Sequence, residues 1–219
     1  MKLGILTTTG LVIAMGLASG VKAENVSHVK QLLETKKCNQ CDLTGAQLAG
    51  MNLSGADLSG ANLKGANLNG ANLDEAKLNE ANLKQAKLQG ASLIGAKMHG
   101  ANLEGADLSR ANLSLAGLVI ASLKNTNLTS ANLIGANLES ANLAGANLRN
   151  ARQSIANLAN VSLRGGSFSG IDVQGVNLRD ANLTNANLNG ANLNGSDLTG
   201  ANLKNANMAN VDLQNASLP

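Results

Sequence analysis

A five-residue period governs this chain from residue 41 to residue 218. The unit reads Ala-Asn-Leu-x-Gly, as in the copy Ala66–Gly70, and its leucine is here called the centre. Centres recur every five residues from Leu43 to Leu218 without insertion or deletion, which gives 36 units, and 31 of the centres are leucine. A strict short period over most of a chain indicates a solenoid, in which each repeat packs on its neighbours. The remaining centres are Met98, Gln153, Phe168, Val173 and Met208.

Each of the five positions in the unit predicts a different environment. The Ala position and the centre are two residues apart, which places both side chains on the same side of an extended backbone. The Asn position lies between them and faces outward, where stacked amides can bond to each other and to the backbone. The fourth position is also outward. The fifth position, the corner, is mostly Gly or Asn, which tolerate the positive φ of a type II turn.

Two runs of three successive corners carry larger residues. Because L residues with long side chains disfavour positive φ, we expect a different turn geometry at these corners. They are Glu75, Glu80, Gln85, Arg110, Leu115 and Ile120.

The in-phase Ala-Asn-Leu-x-Gly unit resembles that of the pentapeptide-repeat family. The resemblance implies an all-β solenoid, a right-handed quadrilateral β-helix with four units per coil. The 36 units then make nine coils, a rod of about 43 Å.

Phe168 is oversized for a centre. We expect the core to repack locally around it, with Gly166 making room for the ring, and we prefer this interpretation to a ligand pocket. Gln153 at a centre would need hydrogen-bond partners.

Two segments precede the repeats. Residues 1–23 combine Lys2, an apolar run and the small-residue sequence Val21-Lys22-Ala23, which predicts a secretory signal peptide. The alternative is an uncleaved membrane anchor.

Residues 24–37 have helical spacing, with Val26, Val29 and Leu33 on one face. This segment is interpreted as a helix that caps the rod, with Asn25 or Ser27 as N-cap; a partner-binding helix is the alternative. Residues 38–219 form the β-helix.

Cys38 and Cys41 are the chain's two cysteines. Both are expected to point into the first layer of the rod, where an exported protein would form a disulfide. Free buried thiols and a redox site are the alternatives. A zinc site would need four ligands. His28 and His99 have no partner at metal-ligand spacing, and no catalytic constellation is present, so neither an enzyme nor a cofactor is predicted.

Apolar residues at outward positions are the most informative feature of the surface. They cluster on two adjacent sides near the middle of the rod and are here called the apolar patch. A contiguous apolar surface predicts contact with a protein partner or a second copy of the chain. Its members are Ile94, Leu115, Val119, Ile120, Ile134 and Ile155.

A second outward column is mostly basic and is here called the charged face. It consists of Lys64, Lys84, Glu104, Lys124, Ala144, Arg164, Thr184 and Lys204. Nucleic acid would be one partner for it, but the chain lacks stacking aromatic residues. We interpret the column as a solvated face that opposes aggregation, and we predict no nucleic-acid partner and no membrane contact after signal cleavage.

Two functions follow from the resemblance. The export signal and the CxxC look like those of cyanobacterial pentapeptide proteins, which implies a non-catalytic structural or interaction rod in the periplasm or thylakoid lumen. The alternative is the gyrase-binding, DNA-mimicking branch of the family. That branch needs an acidic surface and no export signal, whereas the predicted mature chain is nearly neutral.

Overall fold

The structure, a computed structural model, describes residues 23–152, 158, 161–169, 171 and 173–219. The predicted signal segment up to Lys22, the patch member Ile155 and the centre Gln153 lie outside the described residues. No helix within the described part of the chain is both long and apolar enough to cross a membrane.

Isolated parallel β-bridges pair residues at the Asn position that are twenty residues apart in the sequence. The series runs from Lys37↔Asp57 to Asp197↔Ser217. A separation of twenty residues equals four units, which confirms the prediction of a four-sided coil. Each side contributes too few extended residues for a longer strand, because a corner interrupts the backbone every five residues.

Every coil is held to the next by the same backbone hydrogen bonds. The centre Leu63 N donates to Asn82 O at 2.7 Å, and the corner Gly65 N donates to Lys84 O at 2.9 Å. Within the coil, Ala66 N donates to Leu63 O at 3.0 Å and closes the corner turn. Side chains at the Asn position add a second ladder, since Asn82 Nδ2 donates to Asn62 Oδ1 at 3.1 Å. The predicted amide stacking is therefore confirmed.

The prediction of altered turns at the large corner residues is wrong. Glu75, Leu115 and Ile120 have φ values of 56°, 61° and 52°, close to the 65° of Gly65. Glu80, Gln85 and Arg110 also keep positive φ. The reason is the coil stack itself, which holds each corner N–H on a carbonyl of the next coil, as in Glu75 N to Ile94 O at 2.8 Å. The hydrogen-bond pattern therefore imposes a backbone that costs an L residue about 1–2 kcal/mol.

The interior consists of stacked centres and Ala positions. Leucines such as Leu68 and Leu128 are fully buried, and each burial contributes roughly 1.5–3 kcal/mol. Two hydroxyl residues that sequence reasoning passed over replace inward alanines. Thr126 Oγ1 donates to Leu103 O at 2.9 Å, and Ser196 Oγ donates to Val173 O at 2.6 Å. Their position in the five-residue register could have predicted that both side chains face inward.

The helix α1, Ala23–Thr35, covers the first coil. Leu32 is fully buried and Val29 nearly so, and both share one core with Leu43 and the first coils. The predicted N-caps are wrong, because the helix begins before Asn25 and Ser27. Asn25 instead turns inward, and its Nδ2 donates to Thr44 O at 2.6 Å. Lys36 follows the helix with φ 58° and donates its N–H to Leu32 O at 2.9 Å.

The last coil differs from the first in its exposure. Leu203, Met208 and Leu213 are half-buried, and Leu218 is 56% exposed. These side chains occupy centres, so they belong to the same inward column as the buried leucines. The described chain thus has its apolar interior covered by a helix at one end and accessible at the other.

Candidate functional site

The apolar patch lies on the surface, as predicted. Leu115 is 67% exposed, Ile120 52% and Ile94 37%, while Val119 and Ile134 are half-buried. The centres behind these residues, such as Leu113 and Leu118, remain fully buried. The patch is therefore additional to a complete core and is not a part of the core that became exposed.

The five-residue register explains the outward direction of each member. Ile94, Val119 and Ile134 occupy fourth positions, immediately after a buried centre. Their backbone is fixed from outside the core, since Ile94 N donates to Asp74 Oδ1 at 3.0 Å and Ile134 N donates to Asn132 Oδ1 at 3.2 Å. Leu115 and Ile120 occupy corners, and the Leu115 side chain extends over Gly135 of the following coil, 2.8 Å from where a Cβ on that glycine would lie.

One side of one coil has no outward polar side chain. Its outward residues are Leu115, Gly117, Val119 and Ile120. Gly117 occupies the Asn position, where every other unit of the sequence carries a polar or charged residue. The fold does not require glycine here, because its φ is not positive and a Cβ would meet no atom within 4 Å. Because Gly117 has no side chain, this side of the coil is flat next to Val119. Sequence reasoning missed this feature.

Two patch residues stand where the backbone disfavours them. Among the described corners with positive φ, Leu115 and Ile120 are the apolar residues, and Ile120 is the β-branched one. A β-branched residue at positive φ is a genuine outlier in proteins. The other described corners with positive φ carry Gly, Asn or other polar residues, so the patch retains side chains that the turn itself does not favour.

Four carboxylates border the apolar patch. Asp74 precedes Ile94 by one coil in the same column, and Glu139 follows Val119 by one coil. The carboxylate of Glu80 lies against Gly100, one coil before Ile120, and Glu75 extends over Gly95 in the same way. Basic residues border the patch as well. They are Lys77, Lys97, His99, Arg110 and Arg152.

The charged face lies on the opposite side of the same coils. Lys84 Nζ is 3.0 Å from Glu104 Oε2, and both side chains are about one-third exposed. Lys124 follows in the column and is exposed. The face is thus partly neutralised within itself, as expected for a solvated surface.

The two cysteines point into the first layer, as the register predicted. Cys38 is fully buried and Cys41 nearly so. The structure joins their sulfurs as a disulfide, with a Cα–Cα distance of 5.2 Å. His28 lies on α1, and Asp42 N donates a hydrogen bond to its Nδ1 at 3.2 Å. His99 is exposed.

The region around Phe168 holds a small interior cavity. Its volume is about 10 Å³, and its lining of leucines, Phe168, Ile171 and Val173 is entirely apolar. A space of this size admits at most one water molecule, and an apolar lining disfavours even that. A Cβ on Gly166 would lie 2.6 Å from Phe168 Cε2, which confirms that this glycine makes room for the ring. The cavity therefore reflects repacking and not a ligand site.

Within the described residues, His, Cys, Asp and Glu side chains form no cluster of three or more that could hold a metal ion. The pKa of Asp57 is lowered, chiefly because the Ser59 hydroxyl donates to it, and the pKa of Asp197 is lowered in the same way by Thr199. Both carboxyls belong to local turns of the repeat, so their pKa shifts indicate no catalytic role.

Comparison with protein families gives a match over most of the repeat region. The pentapeptide repeats family matches with eight copies, over residues 41–79, 76–114, 121–152, 156–195 and 181–218. Comparison with curated proteins gives no match.

Several solved structures are similar. HetL, a pentapeptide repeat protein involved in heterocyst differentiation regulation in the cyanobacterium Nostoc, is 31% identical, with 80% of this chain and 92% of HetL covered and a TM-score of 0.34. A pentapeptide repeat protein from the thylakoid lumen of Arabidopsis thaliana is 33% identical, with coverages of 61% and 72% and a TM-score of 0.23. QnrB1, a plasmid-mediated fluoroquinolone resistance protein, is 21% identical, with coverages of 79% and 89% and a TM-score of 0.48.

Proposed function

Since the chain belongs to the pentapeptide repeat family, whose members fold as right-handed quadrilateral β-helices, we propose that it is a non-catalytic, exported interaction rod. In this proposal the apolar patch binds a protein partner. The observation that carries it is the exposure of Leu115, Ile120 and Ile94 beside a core that is already full. Hydrophobic burial would drive the contact.

Two further features support a binding role for the patch. Leu115 and Ile120 occupy positive-φ corners that favour other residues. Strained backbone that persists without local benefit tends to occur at functional sites. Gly117 leaves the side between them without the polar side chain found at other Asn positions, and neither sterics nor backbone geometry requires glycine there.

Export is proposed from the composition of residues 1–23, which precede the described structure apart from Ala23. We propose the thylakoid lumen or the periplasm as the destination; the similar Arabidopsis thaliana protein comes from the thylakoid lumen. In either compartment we propose that Cys38 and Cys41 are oxidised to each other, since both are buried in the first layer with a Cα–Cα distance of 5.2 Å. Alkylation of the non-reduced protein in denaturant, followed by mass measurement, should then label neither cysteine, and two labelled thiols would contradict the proposal.

The DNA-mimicking alternative receives no support from the surface. Mimicry of B-DNA requires a predominantly acidic exterior, whereas the chain without residues 1–23 carries 15 Lys and Arg against 14 Asp and Glu. The charged face adds a mostly basic column along the rod. An interaction rod without nucleic-acid mimicry therefore fits the side chains better.

The proposal is tested by comparing two variants of the tagged rod. The patch variant combines Ile94→Ser, Leu115→Asn and Ile120→Asn, and the control variant combines Lys64→Ser, Lys124→Ser and Lys204→Ser on the opposite side. Neither should melt below wild type, because all six residues are outward, and the two Asn substitutions at positive-φ corners should raise the melting temperature of the patch variant. In quantitative pull-downs from the native compartment, the patch variant should lose at least tenfold of the specific partner, while the control keeps it. Equal recovery by the wild type and the patch variant would contradict the proposed function.

A further inference from the structure

We propose that Asn189 and Asn194 are sites of spontaneous deamidation, whereas the fold protects Asn69 from the same reaction. Each of these asparagines precedes a glycine, and the sequence holds three such Asn-Gly pairs. In every pair the asparagine occupies the fourth position of its unit and the glycine occupies the corner. The proposal concerns a chemical modification and does not depend on the apolar patch.

Deamidation of an Asn-Gly pair requires water and no other reactant. The glycine backbone nitrogen loses its proton and attacks the asparagine Cγ, the Cγ–Nδ2 bond breaks, and ammonia leaves a five-membered succinimide ring. Water then opens the ring at Cγ to give aspartate, or at the backbone carbonyl to give isoaspartate, in which the main chain runs through Cβ. Glycine favours the attack because it has no Cβ to obstruct it.

The coil stack opposes ring closure at all three pairs. Each corner nitrogen donates to a carbonyl of the next coil and must leave it before it can attack the neighbouring Cγ. Deamidation therefore requires a local opening between two coils, and the free energy of that opening sets the rate. The three bonds are Gly70 N to Gln89 O at 2.9 Å, Gly190 N to Ala209 O at 2.9 Å, and Gly195 N to Gln214 O at 2.8 Å.

The main chain of the next coil also holds the Asn69 side chain. Asn69 Oδ1 accepts from the backbone N of Gln89 at 2.9 Å. Gln89 therefore fixes both reacting groups of this pair, because its carbonyl oxygen already binds Gly70 N. The attacked carbon and the attacking nitrogen are both held in place by backbone atoms.

The side chains of Asn189 and Asn194 have no such backbone partner in the next coil. The equivalent nitrogens there are held by their own turns, Ala209 N by Asn207 Oδ1 at 3.1 Å and Gln214 N by Asp212 Oδ1 at 2.9 Å.

Exposed side chains contact these two asparagines instead. Asn210 Nδ2 donates to Asn189 Oδ1 at 3.2 Å, and Asn194 Nδ2 donates to Gln214 Oε1 at 3.5 Å. Asn210 and Gln214 are both exposed, and exposed side chains change rotamer on the picosecond-to-nanosecond timescale. These contacts therefore constrain the asparagine amides less than a backbone bond does.

The coils that cover the three pairs differ in burial as well. Leu88, the centre beside Gln89, is fully buried, whereas Met208 and Leu213, the centres beside Ala209 and Gln214, are half-buried. Lifting a coil with half-buried centres exposes less additional apolar surface, so the opening costs less free energy. Asn189 and Asn194 should therefore reach the reactive geometry more often than Asn69.

Isoaspartate at position 194 would disturb the unit that follows it. Ser196 N donates to Leu193 O at 3.0 Å across the corner, and Ser196 Oγ donates to Val173 O at 2.6 Å inside the rod. The isoaspartate linkage adds one atom to the main chain within this turn. The inward hydroxyl would then lose its position, so the modification should weaken the packing of this coil.

The chain contains its own matched control for the test. Residues 66–73 and 186–193 have the same sequence, Ala-Asn-Leu-Asn-Gly-Ala-Asn-Leu, so a rate difference between Asn69 and Asn189 must come from the fold. The purified protein is aged at mildly alkaline pH, once native and once in guanidinium chloride. Mass spectrometry of the tryptic peptides 65–77 and 180–204 then measures each site, with fragmentation that localises the modification.

In denaturant the three asparagines should react at similar rates. The native rate divided by the denatured rate should be at least tenfold higher at Asn189 and at Asn194 than at Asn69. Hydrogen exchange measures the opening directly, and the amides of Gly190 and Gly195 should exchange faster than that of Gly70. A rate ratio that differs by less than tenfold at either site, or equal exchange of the three glycine amides, would overturn the proposal.

Discussion

The charged face and the apolar patch are two outer surfaces of the same coils. Behind the charged face, Leu103 N donates to Ser122 O at 2.7 Å, and behind the patch, Leu113 N donates to Asn132 O at the same distance. Both leucines are fully buried. Only the outward side chains differ, with Lys84 paired to Glu104 on one side and Ile94 and Ile134 on the other. The comparison shows that the same backbone and core accommodate polar and apolar outward residues equally. Folding therefore does not explain why this outer surface is apolar.

The largest effect should come from exchanging the inward and outward roles. Leu128→Lys places a charge in the buried leucine stack and should prevent stable folding, because an unpaired buried charge costs several kcal/mol. Its matched control, Lys124→Ala, trims an exposed side chain of the charged face and should change stability by no more than about 0.5 kcal/mol. Thermal melting by circular dichroism distinguishes them. Similar melting temperatures for the two proteins would break the comparison, since inward and outward positions would then not differ.

A smaller effect should have the opposite sign. Ile120→Asn replaces a β-branched residue at φ 52° with one that tolerates this region, so the variant should be more stable by about 1 kcal/mol. Ile94→Asn is the matched control, because Ile94 is a patch residue without positive φ, and it should show no comparable gain. Denaturant unfolding measures both. A loss of stability in Ile120→Asn would mean that its side chain contributes to the fold.

The sequence predicted the fold well because its period is strict. Leu63 and Ala66 could be assigned inward and Ile94 outward without coordinates, since a single register applies to every unit. The corners could not be predicted, because local preference argues against positive φ at Glu75, whereas the inter-coil hydrogen bond to Ile94 O that imposes it is contributed from twenty residues away.

The site was predictable only in part, for the same reason. Register alone placed Leu115 and Ile120 on the surface. Their neighbours in adjacent coils can be identified only by placing residues twenty and forty apart in the sequence in one column. Glu80, Gly100 and Ile120 form such a column, in which the Glu80 carboxylate lies against Gly100. Gly117 carried a signal, as the one exception at the Asn position, but its meaning required knowing that the space around it is open. Asn25 had no signal, since its inward turn depends on how α1 lies on Thr44.

Site-specific photo-crosslinking in the native compartment tests the central claim most directly. A photoreactive amino acid is placed at Leu115 in the patch and, in a separate protein, at Lys124 on the charged face, both being exposed outward positions of the same part of the rod. The account predicts a discrete crosslinked protein from position 115 and none of comparable yield from position 124. Equal crosslinking from both positions, or from position 124 alone, would contradict the assignment of the apolar patch as the binding surface.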